Sequence, residues 1–202
     1  MKADHLELLV EEPSMEAFLN VLLRRFLPAG TTFGIRHFQG KRDMLEKLPC
    51  RLKAYAKWLP QDWRIMVLID CDSDSCLELK QRLEDFAYAA GLRTRSRSGA
   101  NSWQLVNRIV IQELEAWFIA DWPSLRAAYP ALPAKAPKAC RSPESMSRTW
   151  ETLESTLKRR GYFTGGLRKI ELARAVASFF DFDNSSSQSY AHFRDALMEA
   201  IS

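Results

Sequence analysis

A chain of 202 residues suits one good-sized domain, or one domain with a helical extension. Its 47% hydrophobic and 27% charged residues, with 11 Phe, 6 Trp and 5 Tyr, exclude disorder and promise a large aromatic core. The net charge of +4 suits an anionic partner, and no apolar run approaches the roughly 20 residues of a membrane-spanning helix, so a soluble cytoplasmic protein is expected.

In chain order, the first predicted strand is His5–Val10 (HLELLV), which runs into Glu11 and Glu12. A helix succeeds it over Ser14–Phe26, with Met15, Phe18, Leu19, Leu22, Leu23 and Phe26 on one face and Pro13 suited to its first position. Thr32–Phe38 reads as a further strand, and Arg42–Trp58 as a helix that Pro49 could kink or split. Arg64–Ile69 (RIMVLI) is a strand ending at Asp70, Cys71 and Asp72, and a helix over Ser75–Ala90 stops at Gly91. Asn107–Gln112 (NRIVIQ) is a strand ending at Glu113 and Glu115. Strands alternating with amphipathic helices predict an α/β fold, a mainly parallel central sheet flanked by helices. Residues 1–125 form this core. Residues 126–202 hold a proline-rich irregular connection and then helices near 146–160, 167–180 and 188–201, forming a C-terminal helical extension packed on it. The serines of DNSSSQS are placed to cap the last helix.

Three acidic clusters therefore sit at strand ends, where parallel strands would gather them on one edge of the sheet. Converging carboxylates repel one another, and a hard cation such as Mg²⁺ (or Mn²⁺) relieves that cost. The candidate metal ligands are Glu12, Glu16, Asp70, Asp72, Glu113 and Glu115, with Glu11 as the alternative to Glu12. Residues two apart in extended backbone point the same way, which directs Asp70 and Asp72 into one site. Glu12 and Glu16, four apart, share a helix face if the helix begins near Pro13. Of Glu113 and Glu115, one is expected to point inward. Each glutamate could instead favour the dipole of the helix it precedes. Lys169, beside the glycines of TGGLRK, is the best placed cation for transition-state charge. Candidate nucleic-acid contacts are Lys41, Arg42, Arg168 and, alternating along an extended LRTRSRS beside Trp103, Arg93, Arg95 and Arg97. The four cysteines and three histidines show no zinc spacing, and phosphate-loop, dinucleotide, serine-hydrolase and zincin motifs are absent.

LLVEEPSMEAFL, VLIDCDSDSCLELKQRL, IQELEAWFIADWPSLRAAYP, RSPES, GYFTGGLRKIELA and DNSSSQSYAHFRDAL resemble domain-of-unknown-function family 4276, regarded as Toprim-like. More distantly, the chain is similar to Toprim nucleases of the overcoming-lysogenisation-defect type. That resemblance implies a Mg²⁺-dependent site built from a first-strand Glu (Glu11 or Glu12), a Glu four residues later (Glu16, counted from Glu12) and Asp70 with Asp72. The usual Gly after the first Glu is replaced by Glu12 or Pro13. The resemblance further implies a nuclease acting on nucleic acid, DNA ahead of RNA, and an ATPase partner in phage defence. Two other readings are a non-catalytic Toprim-like module binding an ATPase or nucleic acid, and a phosphatase of the haloacid dehalogenase kind, whose Asp-x-Asp start LIDCDSDS resembles.

Overall fold

The apolar runs pair as parallel strands. The computed structural model describes residues 2–99 and 102–202, with β1 (His5–Val10), β2 (Thr32–His37), β3 (Trp63–Asp70) and β4 (Leu105–Val110) in the order β2-β1-β3-β4. All three pairings are parallel, with Val10 opposite Leu68 and Asp70 opposite Val110. The central strands β1 and β3 are buried almost throughout, as apolar runs covered on both faces must be. β4 begins two residues earlier than its apolar pattern suggests. It pairs backward through the Leu105 N–H to the Arg93 carbonyl, and a positive φ of 61° at Gln112 turns the chain away at the far end.

The helices are α1 (Pro13–Phe26), α2 (Lys41–Ala56), α3 (Cys76–Ala89), the short α4 (Arg95–Ser98), α5 (Leu114–Ala120), α6 (Trp122–Ala128), α7 (Thr149–Lys158), α8 (Lys169–Ala177) and α9 (Gln188–Ile201). α2 runs unbroken through Pro49. Leu48 and Leu52, buried on either side of the proline, hold the helix against the sheet where one backbone hydrogen bond is lost.

Strand alternation sorts the core into two layers. Leu6, Leu8, Val10, Met66 and Leu68 face a cluster built with Phe18 of α1, Trp117 of α5 and Phe193 of α9. Leu9, Ile65, Val67 and Ile69 face Met44, Leu48 and Leu52 of α2 and Leu79 and Leu83 of α3. The C-terminal helices thus complete the first layer. α8 lies along α1, and Arg25 near the end of α1 donates to the carbonyls of Ala177 and Phe180 at and just past the end of α8, so the two run in the same direction. Among the described residues no helix is long and apolar enough to cross a membrane.

The strand order has a functional consequence. The chain leaves β1 toward one side of the sheet and leaves β3 toward the other. The crevice between their carboxyl ends is therefore the switch point where open parallel sheets bind ligands.

Candidate functional site

The carboxyl ends of β1, β3 and β4 bring all three acidic clusters to this crevice. Glu11, 8% exposed, accepts the backbone N–H of Asp70 at 3.0 Å. Burial raises its pKa to about 7, with Asp72 and Glu12 adding to the rise and the Asp70 N–H and Lys41 opposing it. Asp70, 4% exposed, is pushed well above the carboxylate range by burial and then by Glu11, Glu115, Glu12 and Asp72.

Two glutamates open helices without capping them. Glu12 precedes α1 (φ −141°, ψ 163°) and Glu113 precedes α5 (φ −147°, ψ 167°), and neither side chain accepts a cap hydrogen bond. Their carboxylates are left for the crevice. Lys169, the first residue of α8, is carried there by the parallel packing on α1. Its Nζ stands 3.6 Å from Glu12 Oε1 and 3.6 Å from Glu115 Oε1. Burial works against this ammonium, but Glu115, Glu12, Glu113 and Asp70 outweigh it and hold its pKa above the ordinary lysine value. Glu115 is only 1% exposed, and burial raises its pKa although Lys169 opposes the rise. Glu113 is raised to about 7 by burial and by Glu115. One oxygen of each, Oε2, is buried without a hydrogen-bond partner. Both glutamates of this pair therefore border the crevice, where one was expected.

On the other face of the sheet, Lys41 at the start of α2 reaches Asp72 at 2.7 Å, Asp74 at 2.9 Å and the Cys71 carbonyl at 3.1 Å. Asp70 and Asp72 do not project side by side. Asp72 adopts a positive φ of 49°, so the chain leaves the pleat after Cys71 and turns Asp72 outward to Lys41. Asp72 still stands close enough to raise the pKa values of Glu11, Asp70 and Glu113.

Other expectations are corrected. Glu16 pairs with His37 at the end of β2 and takes no part in the ion pairs around Lys169. The helix does begin at Pro13, but Glu12, extended as its cap residue, is paired with Lys169 and Glu16 with His37. The segment carrying Arg93, Arg95 and Arg97 is not extended: α4 turns it at the amino end of β4, the edge opposite the carboxylates. Arg93 donates to the Ser102 carbonyl, Arg95 pairs with Glu199 and Arg97 with Asp85, so the three diverge. Trp103 is buried and donates to Glu199. Arg168 is paired with Glu171, and its side chain is largely exposed. Arg42 is exposed and lines, with Lys41, Asp74 and Arg82, a cleft of about 660 Å³ at the acidic edge.

Sequence reasoning missed Lys41 as the clamp of Asp72 and Asp74, and it missed Glu144. In RSPES, Glu144 accepts from the Ser187 and Ser189 hydroxyls at 2.6 and 2.7 Å and from the Gln188 and Ser189 N–H groups at 3.2 and 2.9 Å. The serine-rich turn does cap α9 through Ser187, and it also binds this carboxylate.

A family model described as Domain of unknown function (DUF4276) matches residues 10–199. The chain belongs to this family. Every candidate residue named above lies within the matched span. The fold is similar to the C-terminal region of the Burkholderia pseudomallei OLD protein, at 12% identity and a TM-score of 0.50, covering 99% of this chain and 98% of that one. It is also similar to the C-terminal region of the Xanthomonas campestris pv. campestris OLD protein, at 15% identity and a TM-score of 0.47, covering 98% and 96%. No curated protein matches the sequence. The first of these likenesses shows that the parallel four-stranded α/β fold is shared with that region.

The donor chemistry of the crevice suits a hard divalent cation. It offers carboxylate oxygens alone, two of them buried and unpartnered. As the side chains stand, no three acidic, histidine or cysteine groups among the described residues close into a ligand set. Lys169 and Lys41 instead stand between the carboxylates.

Proposed function

We propose that this chain is a divalent-metal-dependent nuclease that hydrolyses phosphodiesters, with DNA as substrate ahead of RNA. The observation that carries the reading is Glu115. It is a carboxylate 1% exposed, with one oxygen unpartnered, in electrostatic reach of Asp70, Glu12 and Glu113 at the switch point of the sheet. A cluster of that kind has little use in folding alone, since each buried charge costs several kcal/mol by order of magnitude.

Asp70, Glu115, Glu113 and Glu11 or Glu12 would hold Mg²⁺ or Mn²⁺, which supplies phosphate polarisation and a more acidic water when bound. The chain's own residues do the rest. Glu11, buried beside Asp70 at the switch point, is placed to take a proton from water. Lys169 supplies positive charge for the departing oxygen, and Lys41 fixes the Asp72 turn at the rim. An ATPase partner and a role in phage defence belong to the same proposal and rest on the family resemblance; a cytoplasmic location belongs to it too and rests on the sequence composition.

Incubation of supercoiled plasmid with the purified protein and Mg²⁺ or Mn²⁺ tests the reading. Nicking is expected, and it should vanish in an Asp70→Ala/Asp72→Ala variant and with EDTA. No cutting under either metal, or cutting that survives in the variant, overturns it in favour of a non-catalytic binding module.

A further inference from the structure

We propose that Lys169 is a resident counter-cation of the carboxylate cluster, filling the space a divalent ion would take and swinging out when the ion enters. The inference rests on the metal-site reading above and specifies how that site is kept when empty. Buried carboxylates at close quarters need either protons or a cation. The Lys169 ammonium, 3.6 Å from both Glu12 and Glu115, is the cation at hand. It cannot satisfy the whole cluster: Glu115 Oε2 and Glu113 Oε2 remain without partners, as expected of a stand-in with one charge at a site made for more.

The side chain also has a way out. Lys169 is 33% exposed, and a cleft of about 380 Å³ lined by Glu12, Pro13, Leu167 and Ile170 opens beside it. Four flexible carbons let the ammonium move without disturbing α8, and exchange replaces one positive charge with two. The outward swing brings the ammonium to the mouth of the crevice, where an incoming phosphate arrives. Ion entry and phosphate recruitment are then linked through one side chain.

The test uses Mn²⁺ alone with the wild-type protein, Lys169→Met and Lys169→Arg. Binding is read from loss of the free-ion paramagnetic resonance signal. Lys169→Met should bind Mn²⁺ at least about tenfold more tightly than wild type, because a competing charge is gone, while Lys169→Arg stays near wild type. Without metal, Lys169→Met should melt lower than wild type, and saturating Mn²⁺ should raise its Tm by more. A readout on the wild-type protein covers the case in which the variant does not fold. Mn²⁺ should increase acetic anhydride labelling of Lys169, read by mass spectrometry against the exposed Lys138. Equal Mn²⁺ affinity in wild type and Lys169→Met, or labelling that Mn²⁺ leaves unchanged or lowers, overturns the counter-cation role alone. Absence of Mn²⁺ binding to any of the three proteins overturns the metal-site reading with it.

Discussion

The carboxylate of Glu11 accepts the backbone N–H of Asp70 at 3.0 Å, so the end of one central strand holds the end of the other across the switch point. Two substitutions separate its structural role from its charge. Glu11→Gln keeps an oxygen acceptor for the N–H, and stability measured by urea denaturation at pH 5, where the folded protein keeps Glu11 protonated, should change by no more than about 1 kcal/mol. Glu11→Ala orphans a buried donor and should cost about 1–3 kcal/mol. Both should reduce plasmid nicking by at least about 100-fold. Wild-type nicking by a stable Glu11→Gln protein removes Glu11 from the site.

Stability should fall with rising pH in metal-free protein. Glu11 and Glu113 titrate near 4.5 when unfolded and at about 7 when folded. Between those values the folded state keeps protons that the unfolded state has released. The contribution is complete below pH 4.5 and is lost as pH rises through 7. At about 1.4 kcal/mol per pH unit, Glu11 accounts for about 3 kcal/mol, and the more exposed Glu113 for less. Urea denaturation at pH 5 to 8 with EDTA measures the slope. Saturating Mn²⁺ should flatten it, and the Glu11→Gln/Glu113→Gln pair should make it shallower, leaving the part due to Asp70 and Glu115. A flat metal-free profile in the unsubstituted protein contradicts the burial of these carboxylates.

The strands, the main helices and the meeting of the acidic clusters were legible because each arises from local pattern. Apolar runs of the right length, bounded by turn residues and acids, define β1 and β3, and parallel order then collects the acids at their carboxyl ends. The features that escaped depend on single dihedrals or distant partners. Asp72 leaves its expected direction through one positive φ, and Glu16 is taken by His37 from β2. Arg95 looks like one tooth of a basic comb until Glu199, from the last helix, claims it. Glu144 is silent in sequence because its four donors come from the α9 cap more than forty residues away.

That cap makes Glu144 the clasp of the irregular connection. Its pKa is lowered: burial opposes the shift, but the Ser187 and Ser189 hydroxyls and two N–H groups outweigh it. Ser189 also accepts from the Trp117 indole at 2.9 Å, tying the clasp to α5, which carries Glu115. Glu144→Ala should cost about 2–3 kcal/mol, and Glu144→Gln less, because the amide oxygen still accepts. Limited trypsinolysis should cut faster at Arg141 and Arg148 in Glu144→Ala, ahead of sites within the sheet. An unchanged cleavage pattern means that the connection is held by other contacts.

The basic residues divide by edge, and so should their effects on nucleic acid. Arg42 stands exposed at the acidic edge, whereas Arg95 lies at the amino end of β4 and is engaged by Glu199 at 2.7 Å. A strand entering the crevice passes the first and not the second. In fluorescence anisotropy with a labelled oligonucleotide between about 50 and 200 mM salt, Arg42→Ala should weaken binding. It should also reduce the slope of log affinity against log salt by about 0.7–0.9, the share of one phosphate contact. Arg95→Ala should leave affinity and slope unchanged while lowering stability by up to about 1 kcal/mol, since its ion pair is partly exposed. The reverse pattern would run the nucleic acid along the amino edge, away from Glu11, Asp70 and Glu115, and these carboxylates could then have no part in cutting it.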